Sequence, residues 1–174
     1  MGRTSDARER LLDAALELIW ERSYGVVTID AICEKAGVKK GSFYYFYESK
    51  ADLATEALEA DWVASAKPCW DRMFSASVPP LERILTFMQM THDKQSAMQK
   101  EHGQILGCPC FSIGSEISTQ SELLRAKAQE ILQRQICYFE TAISQWLGVA
   151  AVSITKLTGT RSASEGCQIA ANCY

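Results

Sequence analysis

Apolar residues recur along this chain at helical rather than strand spacing. Leu11, Leu12, Ala15, Leu18 and Ile19 repeat between acids and arginines, which predicts a first amphipathic helix stopped at Gly25. Asp6 and Glu9 stand ahead of that run in the spacing of a capping pair. Ile29, Ile32 and Ala36 make a second, short run, with Thr28 as its N-cap. Gly37 supplies the left-handed residue that a tight turn between helices needs. A third run spans Lys40 to Phe46, so that helix, glycine turn and helix give the helix-turn-helix pattern. Ser49-Lys50-Ala51-Asp52 then offers a capping box with an acid in the usual Glu or Gln place. A long fourth helix follows through Leu53, Ala57, Leu58, Trp62, Ala66 and Trp70 towards Met73 and Phe74. Pro68 is expected to kink that helix or to end it at Lys67.

Pro79 and Pro80 mark a turn, with Pro80 suited to the first turn of the next helix. That helix carries Leu81, Ile84, Leu85, Phe87 and Met88 and runs to about Met98, before a glycine-bearing segment from Glu101 to Gly107. Cys108 to Ser118 reads as a short helix with Phe111, Ile113 and Ile117 as its apolar content. Glu122 to Leu147 is a strong amphipathic run whose wide apolar face suits an interface. After Gly148 the pattern weakens, and the tail reads as loop with room for a short helix from Ser162. No stretch shows a sheet pattern, so the fold class is all-α. A helix-turn-helix head over residues 1–50 joins a helical body over 51–174.

Side-chain chemistry gives the head its purpose. From Lys35 to Tyr47 there are three lysines, Lys35, Lys39 and Lys40, and no acid. The same window ends in five consecutive aromatics, Phe43, Tyr44, Tyr45, Phe46 and Tyr47. A helix turning every 3.6 residues or so cannot hide all five. Phe43 and Phe46 suit the core, and an exposed tyrosine needs a reason. Stacking on a groove wall, with the hydroxyl on a phosphate or a base edge, is one. Ser42 is small and polar, and Gly41 lets a backbone approach closely. Lys50, in the first turn of helix four, opposes the helix dipole, which a phosphate partner would offset. Arg3, Arg8 and Arg10 read as a solvated face of helix one.

The string from Thr28 to Leu53, TIDAICEKAGVKKGSFYYFYESKADL, resembles the DNA-binding head of the TetR family of bacterial transcriptional regulators. Arg8 to Gly25 is similar to that family's first helix. The resemblance implies an all-α homodimer that represses transcription from a palindromic operator of double-stranded DNA. A small-molecule effector would relieve repression by changing the spacing of two heads seated in successive major grooves. It implies DNA contacts from Thr28, Lys40, Gly41, Ser42, Tyr44, Tyr45 and Lys50. Lys39 stands where a small capping residue is usual, so it loses the cap and adds a charge for phosphate. The dimer would form through the Glu122–Leu147 helix and C-terminal residues. A further long apolar helix is usual there, whereas only residues 161–174 follow Thr160, so a smaller interface or a truncated chain is expected. Gly107-Cys108 resembles a junction in members that sense electrophiles or oxidants.

Composition narrows the alternatives. Net charge is −3, and residues 1–50 hold eight basic and eight acidic side chains, so DNA would be met by one local face. Seven cysteines and a charged N-terminus without an apolar core suit free thiols in a cytoplasmic protein. The longest uncharged stretch, Thr141–Thr155, is too short to span a membrane. Cys108 and Cys110 are candidate redox-sensing thiols; joined by His92 or His102 they would make a soft-metal site, and as ordinary cysteines they would only pack. Trp62, Trp70, Met73, Phe87, Met88 and Phe111 either line a pocket for an apolar effector or fill the body's core. No catalytic motif is present, and no cofactor or resident metal is called for; a Cys108–His102 pair is the weakest of the functional options. A helical module for protein interaction is the third option.

Overall fold

Glycine turns at Gly37 and Gly103 and side-chain caps at Thr28, Ser49 and Ser121 mark helix boundaries along the chain. The computed structural model describes residues 3–103, 105, 107, 108, 110, 113 and 121–158, with the backbone path alone at 3–5, 102 and 149–158. The elements are α1 (Arg3–Arg22), α2 (Ile29–Ala36), α3 (Lys40–Phe46) and α4 (Lys50–Asp61). A π-helical segment (Trp62–Ala66), α5 (Lys67–Met73), α6 (Pro80–His102) and α7 (Glu122–Thr158) complete them. Among the described residues there is no strand, as the all-α expectation requires.

The predicted caps of α2 and α4 form. Thr28 Oγ1 accepts the Ala31 N–H at 3.1 Å, and Ser49 Oγ accepts the Asp52 N–H at 3.1 Å. Gly37 takes φ 63° and closes α2. Helix α1 departs from expectation at both ends. It begins at Arg3, so Asp6 lies inside its first turn and faces Arg10 instead of capping. It ends at Arg22, where Ser23 adopts φ 80° and its N–H bonds the Ile19 carbonyl at 3.0 Å. Gly25 therefore lies beyond the stop.

Pro68 neither ends helix four nor breaks the helical path. An α-helix would drive the proline ring into the Ala64 carbonyl, four residues back. The chain widens first: the Lys67 N–H bonds the Trp62 carbonyl, five residues back, and α5 proceeds through the proline. Beyond Gly148 the predicted loop is helix instead, since α7 runs on to Thr158. A single glycine weakens a helix without stopping it, and the β-branched residues after it are tolerated when the helix is already nucleated. The predicted short helix from Ser162 lies outside the described residues.

The body is built around Trp70. Its ring centroid lies 5.3 Å from Phe74, 5.1 Å from Phe87, 5.4 Å from Tyr138 and 5.7 Å from Phe139. Leu124, Ala128, Ile131 and Ala142 bury the inner face of α7. Phe87 meets Phe139, and Arg83 meets Gln145, so α6 and α7 run antiparallel. Arg83 is the one buried charge among the described residues. It donates to Val78 O at 2.7 Å and Gln145 Oε1 at 2.8 Å, and so fastens the turn before α6 to α7.

Helix α4 is the shared member, packing on α1 in the head and on α7 in the body. Across the second contact Glu59 accepts from Arg134 at 3.0 Å and from Lys127 at 3.2 Å. Partial burial alone would raise the Glu59 pKa, but these cations hold it below the ordinary 4.5. A depressed carboxyl pKa stabilises the fold above the unfolded value, and that gain is lost as pH falls through the folded one. Glu59→Gln should cost about 1 kcal/mol at pH 7, a value reduced for solvent screening at this half-exposed site. The gap between the two proteins in thermal unfolding should close as the pH is taken below 4.5.

Candidate nucleic-acid interface

Helix α3 has only seven residues, too few to hold a helix by propensity. Packing holds it. Phe43 is 0% exposed where α3 meets α2 and α1, and Tyr47, four residues on, is buried with it. Phe46 is half-buried against the same core. With that face inward, Tyr44 is 55% and Tyr45 74% exposed. Each outward ring is braced by an inward neighbour, Tyr44 edge-on to Phe43 at 5.2 Å and Tyr45 edge-on to Phe46 at 4.9 Å. Tyr47 as a core residue was not foreseen, although its four-residue spacing from Phe43 was the available signal. Its hydroxyl is buried beside the Arg8–Glu56 ion pair (2.6 Å) without a well-formed hydrogen bond. Burial, then the Glu56 charge, push its pKa up to about 12, so it stays protonated.

The outward face gathers most of the predicted set. Lys39 occupies the N-cap of α3 without a side-chain cap bond, and both Lys39 and Lys40 are exposed. The Ser42 N–H already bonds the Lys39 carbonyl at 2.8 Å; the positive end of the helix dipole still favours an anion, and two cations beside it add to that field. Lys40 meanwhile pairs with Asp30 of α2 at 2.7 Å, and the hydrogen bond its ammonium donates to that carboxylate, then the carboxylate's charge, raise the Lys40 pKa. Ser42 is half-buried. A Cβ on Gly41 would meet nothing within 4 Å, so nothing inside the protein requires a glycine there. Thr28 is exposed at the N-cap of α2.

Lys50 is placed differently from its fellows. Its ammonium donates to Tyr24 O at 2.7 Å and Val27 O at 2.6 Å and lies 4.1 Å from the Tyr24 ring centroid. The side chain thus ties the start of α4 to the α1–α2 connection. Arg10 is a second such tie, read from sequence only as part of a solvated face. Its Nη1 donates to Ala36 O at 2.9 Å, which anchors α1 to the last turn of α2 beside Gly37. Neither tie is visible in local spacing, because the partners are backbone carbonyls 23 to 26 residues away.

The remaining candidates sit in the body. Trp62, Trp70 and Met73 are buried and Phe87 is half-buried against them, all within one core cluster. Met88 is 61% exposed and stands outside that cluster, while Phe111 lies outside the described residues. Cys108 is exposed and Cys110 buried. The Cys110 thiol is pushed far up by its hydrogen bond with Cys108, then by burial and by the charges of Cys108 and Asp61. Cys110 is therefore a neutral thiol lying under an accessible one. Among the described residues no three metal-capable side chains come together. No described helix is long and apolar enough to cross a membrane.

The head matches the family "Bacterial regulatory proteins, tetR family" over residues 11–57. The chain is 30% identical to the transcriptional regulator AcuR of Cereibacter sphaeroides over 73% of its own length and 56% of AcuR. It is 28% identical to the transcriptional repressor NemR of Escherichia coli over 70% of this chain and 59% of NemR. The chain thus spans somewhat over half the length of these relatives. Among solved structures it is similar to a regulatory protein TetR from Rhodobacter sphaeroides, with TM-score 0.68 and 27% identity over 91% of this chain and 77% of that one.

Two substitutions separate contact from support. Lys50→Ala loses two charge-assisted hydrogen bonds and should cost about 2 kcal/mol in chemical denaturation. Tyr44→Ala, at an exposed position, should stay within about 0.5 kcal/mol of the parent protein. Equal stability losses in the two would contradict this division of roles.

Proposed function

We propose that this chain, a member of the TetR family of bacterial regulatory proteins, is a DNA-binding transcriptional repressor that grips a palindromic operator as a homodimer. It acts as a regulator, not as an enzyme, and work on chromosomal DNA puts it in the cytoplasm. The division of labour follows residues 1–50 as the DNA-binding head and 51–174 as the effector-binding and dimerising body. The observation that carries the proposal is the outward face of α3, where Tyr44 and Tyr45 stand exposed beside Lys39 and Lys40. Exposed aromatics next to cations at a helix start suit a groove better than water.

In this reading Tyr44, Tyr45 and Ser42 address base edges and sugar-phosphate walls. Gly41 gives the backbone close approach, while Lys39, Lys40 and Thr28 hold phosphates. Lys50 serves mainly by fixing where α4 begins relative to α1 and α2, and its phosphate contact is an addition to that tie. Dimerisation uses α7, whose Ile136, Ile143, Trp146 and Leu147 are exposed at helical spacing. The effector acts at Cys108, an accessible thiol next to a buried one, which favours a thiol-reactive electrophile. An apolar effector would instead need to enter beside Trp62, Trp70, Met73 and Phe87, whose side chains the described core already packs together.

An electrophoretic shift with the chain's own promoter region tests the proposal. We expect sequence-specific, salt-sensitive binding of a palindrome, with two protomers per site. Tyr44→Ala should weaken it roughly 5- to 100-fold, the range of one base-edge or stacking contact. Lys39→Ala should weaken all sequences alike and flatten the salt dependence by about one unit of slope. Binding that is indifferent to both substitutions would overturn the assignment of α3.

A further inference from the structure

The loop that carries Cys108 is fastened to the head. Helix α6 ends at Gly103, and the chain turns back along it, so that Gly107 reaches Gln95. Gln95 Nε2 donates to the Gly107 carbonyl, and the Gly107 N–H donates to Gln95 Oε1, each at 3.4 Å. The same carbonyl accepts from Trp20 Nε1 at 3.0 Å, across 87 residues of sequence. Trp20 belongs to the last turns of α1, and its ring lies 4.9 Å from the Lys94 ammonium of α6. Gly107 has φ 71°, yet a Cβ there would meet nothing within 4 Å. Its glycine serves the backbone: a left-handed residue aims this carbonyl at the indole.

Three residues further on, Cys110 is buried under Cys108 and feels the charge of Asp61, the last residue of α4. Lys94 of α6 acts on that same carboxylate as well as on Trp20. Within four residues the loop therefore bonds to α1 and α6 and comes within reach of the Asp61 charge at the end of α4. Helices α1 and α4 hold the recognition unit, α1 through Arg10 and α4 through Lys50. The bond that fastens Gly107 of this loop to the head is a neutral one, from a half-buried indole. Bonds of that type shift an equilibrium by about two- to tenfold, which is small enough to be made and broken by a local event.

We propose that the Trp20–Gly107 hydrogen bond is the joint through which the Cys108 loop sets the placement of the DNA-binding head, and that an adduct on Cys108 opens it. This rests on the reading of Cys108 as the effector site, and it names the coupling residue, Trp20. Trp20 is a positioning residue: it touches neither operator nor effector.

Backbone hydrogen exchange tests it without DNA, in the full chain, using N-ethylmaleimide as the probe. The Cys108 thiolate adds across the maleimide double bond, and the neighbouring carbon takes up a proton, so no oxidant is involved. In the parent protein the adduct should speed exchange two- to tenfold in the last turn of α1 and in residues 23–27. Trp20→Phe keeps a ring but no donor. It should show the faster exchange from the start and no further response to the reagent, and Cys108→Ser should not respond at all. Should Trp20→Phe fail to fold, Gly107→Ala, which strains the left-handed carbonyl, is expected to give the same pattern. The proposal is overturned if Trp20→Phe keeps parental exchange and parental response, or if a mass-verified Cys108 adduct leaves α1 unmoved. It is also overturned if Trp20→Phe loses protection evenly through α6 and α7, which would make Trp20 a plain strut. Failure of the DNA-binding reading would appear separately, as no operator shift in the parent protein.

Discussion

The ring of Phe43, wholly buried where α1, α2 and α3 meet, sets the rotation of a helix only seven residues long. A helix that short has no stability of its own, so its facing is whatever its one large buried side chain dictates. Removing a ring of this size from a packed core costs about 3–5 kcal/mol, a large part of the 5–15 kcal/mol that holds a typical domain together. Rotating α3 to bury Tyr44 in place of Phe43 would bring a phenol hydroxyl into an apolar junction, which is unfavourable by a similar route. The exposed tyrosines and the two lysines are thus outward because Phe43 is inward.

That constraint reaches the body through α4. Lys50 clamps its beginning to the Tyr24 and Val27 carbonyls, and Glu59 clamps its end to Arg134 and Lys127 of α7. Between Asp61 and Lys67 the helix widens to pass Pro68, and Trp62 and Trp70 flank that wide stretch at 6.4 Å between centroids. Head and body therefore share one continuous core instead of two that touch. Helix α4 thus links α7 to the core shared by α1, α2 and α3, and the Trp20–Gly107 bond gives a second link through α1.

What was legible in the sequence follows from the range of the interactions. Thr28, Gly37 and Ser49 act on groups within five residues, and each does what its spacing foretold. Phe43 was legible as core because a five-aromatic run must divide by helical phase, although the partner of Phe43 is Tyr47 more than Phe46. Lys50, Arg10 and Trp20 were not legible in their actual roles, since their acceptors are carbonyls 23 to 87 residues away and carry no side-chain signature. The end of α1 was misplaced because Ser23, and not the nearby Gly25, takes the left-handed conformation. Helix α7 was cut short because Gly148 suggested a stop that the flanking helix overrides.

The most direct measurement is the change in backbone and side-chain chemical shifts of the whole chain as a palindromic duplex from its own promoter is titrated in. We expect the largest changes at Lys39 to Ser42, Tyr44 and Tyr45, smaller ones at Thr28 and Lys50, and a Phe43 ring that stays in its buried environment. Changes centred on the exposed faces of α6 or α7, with Tyr44 and Tyr45 unmoved, would contradict a DNA-reading α3 and point to a surface for protein partners instead.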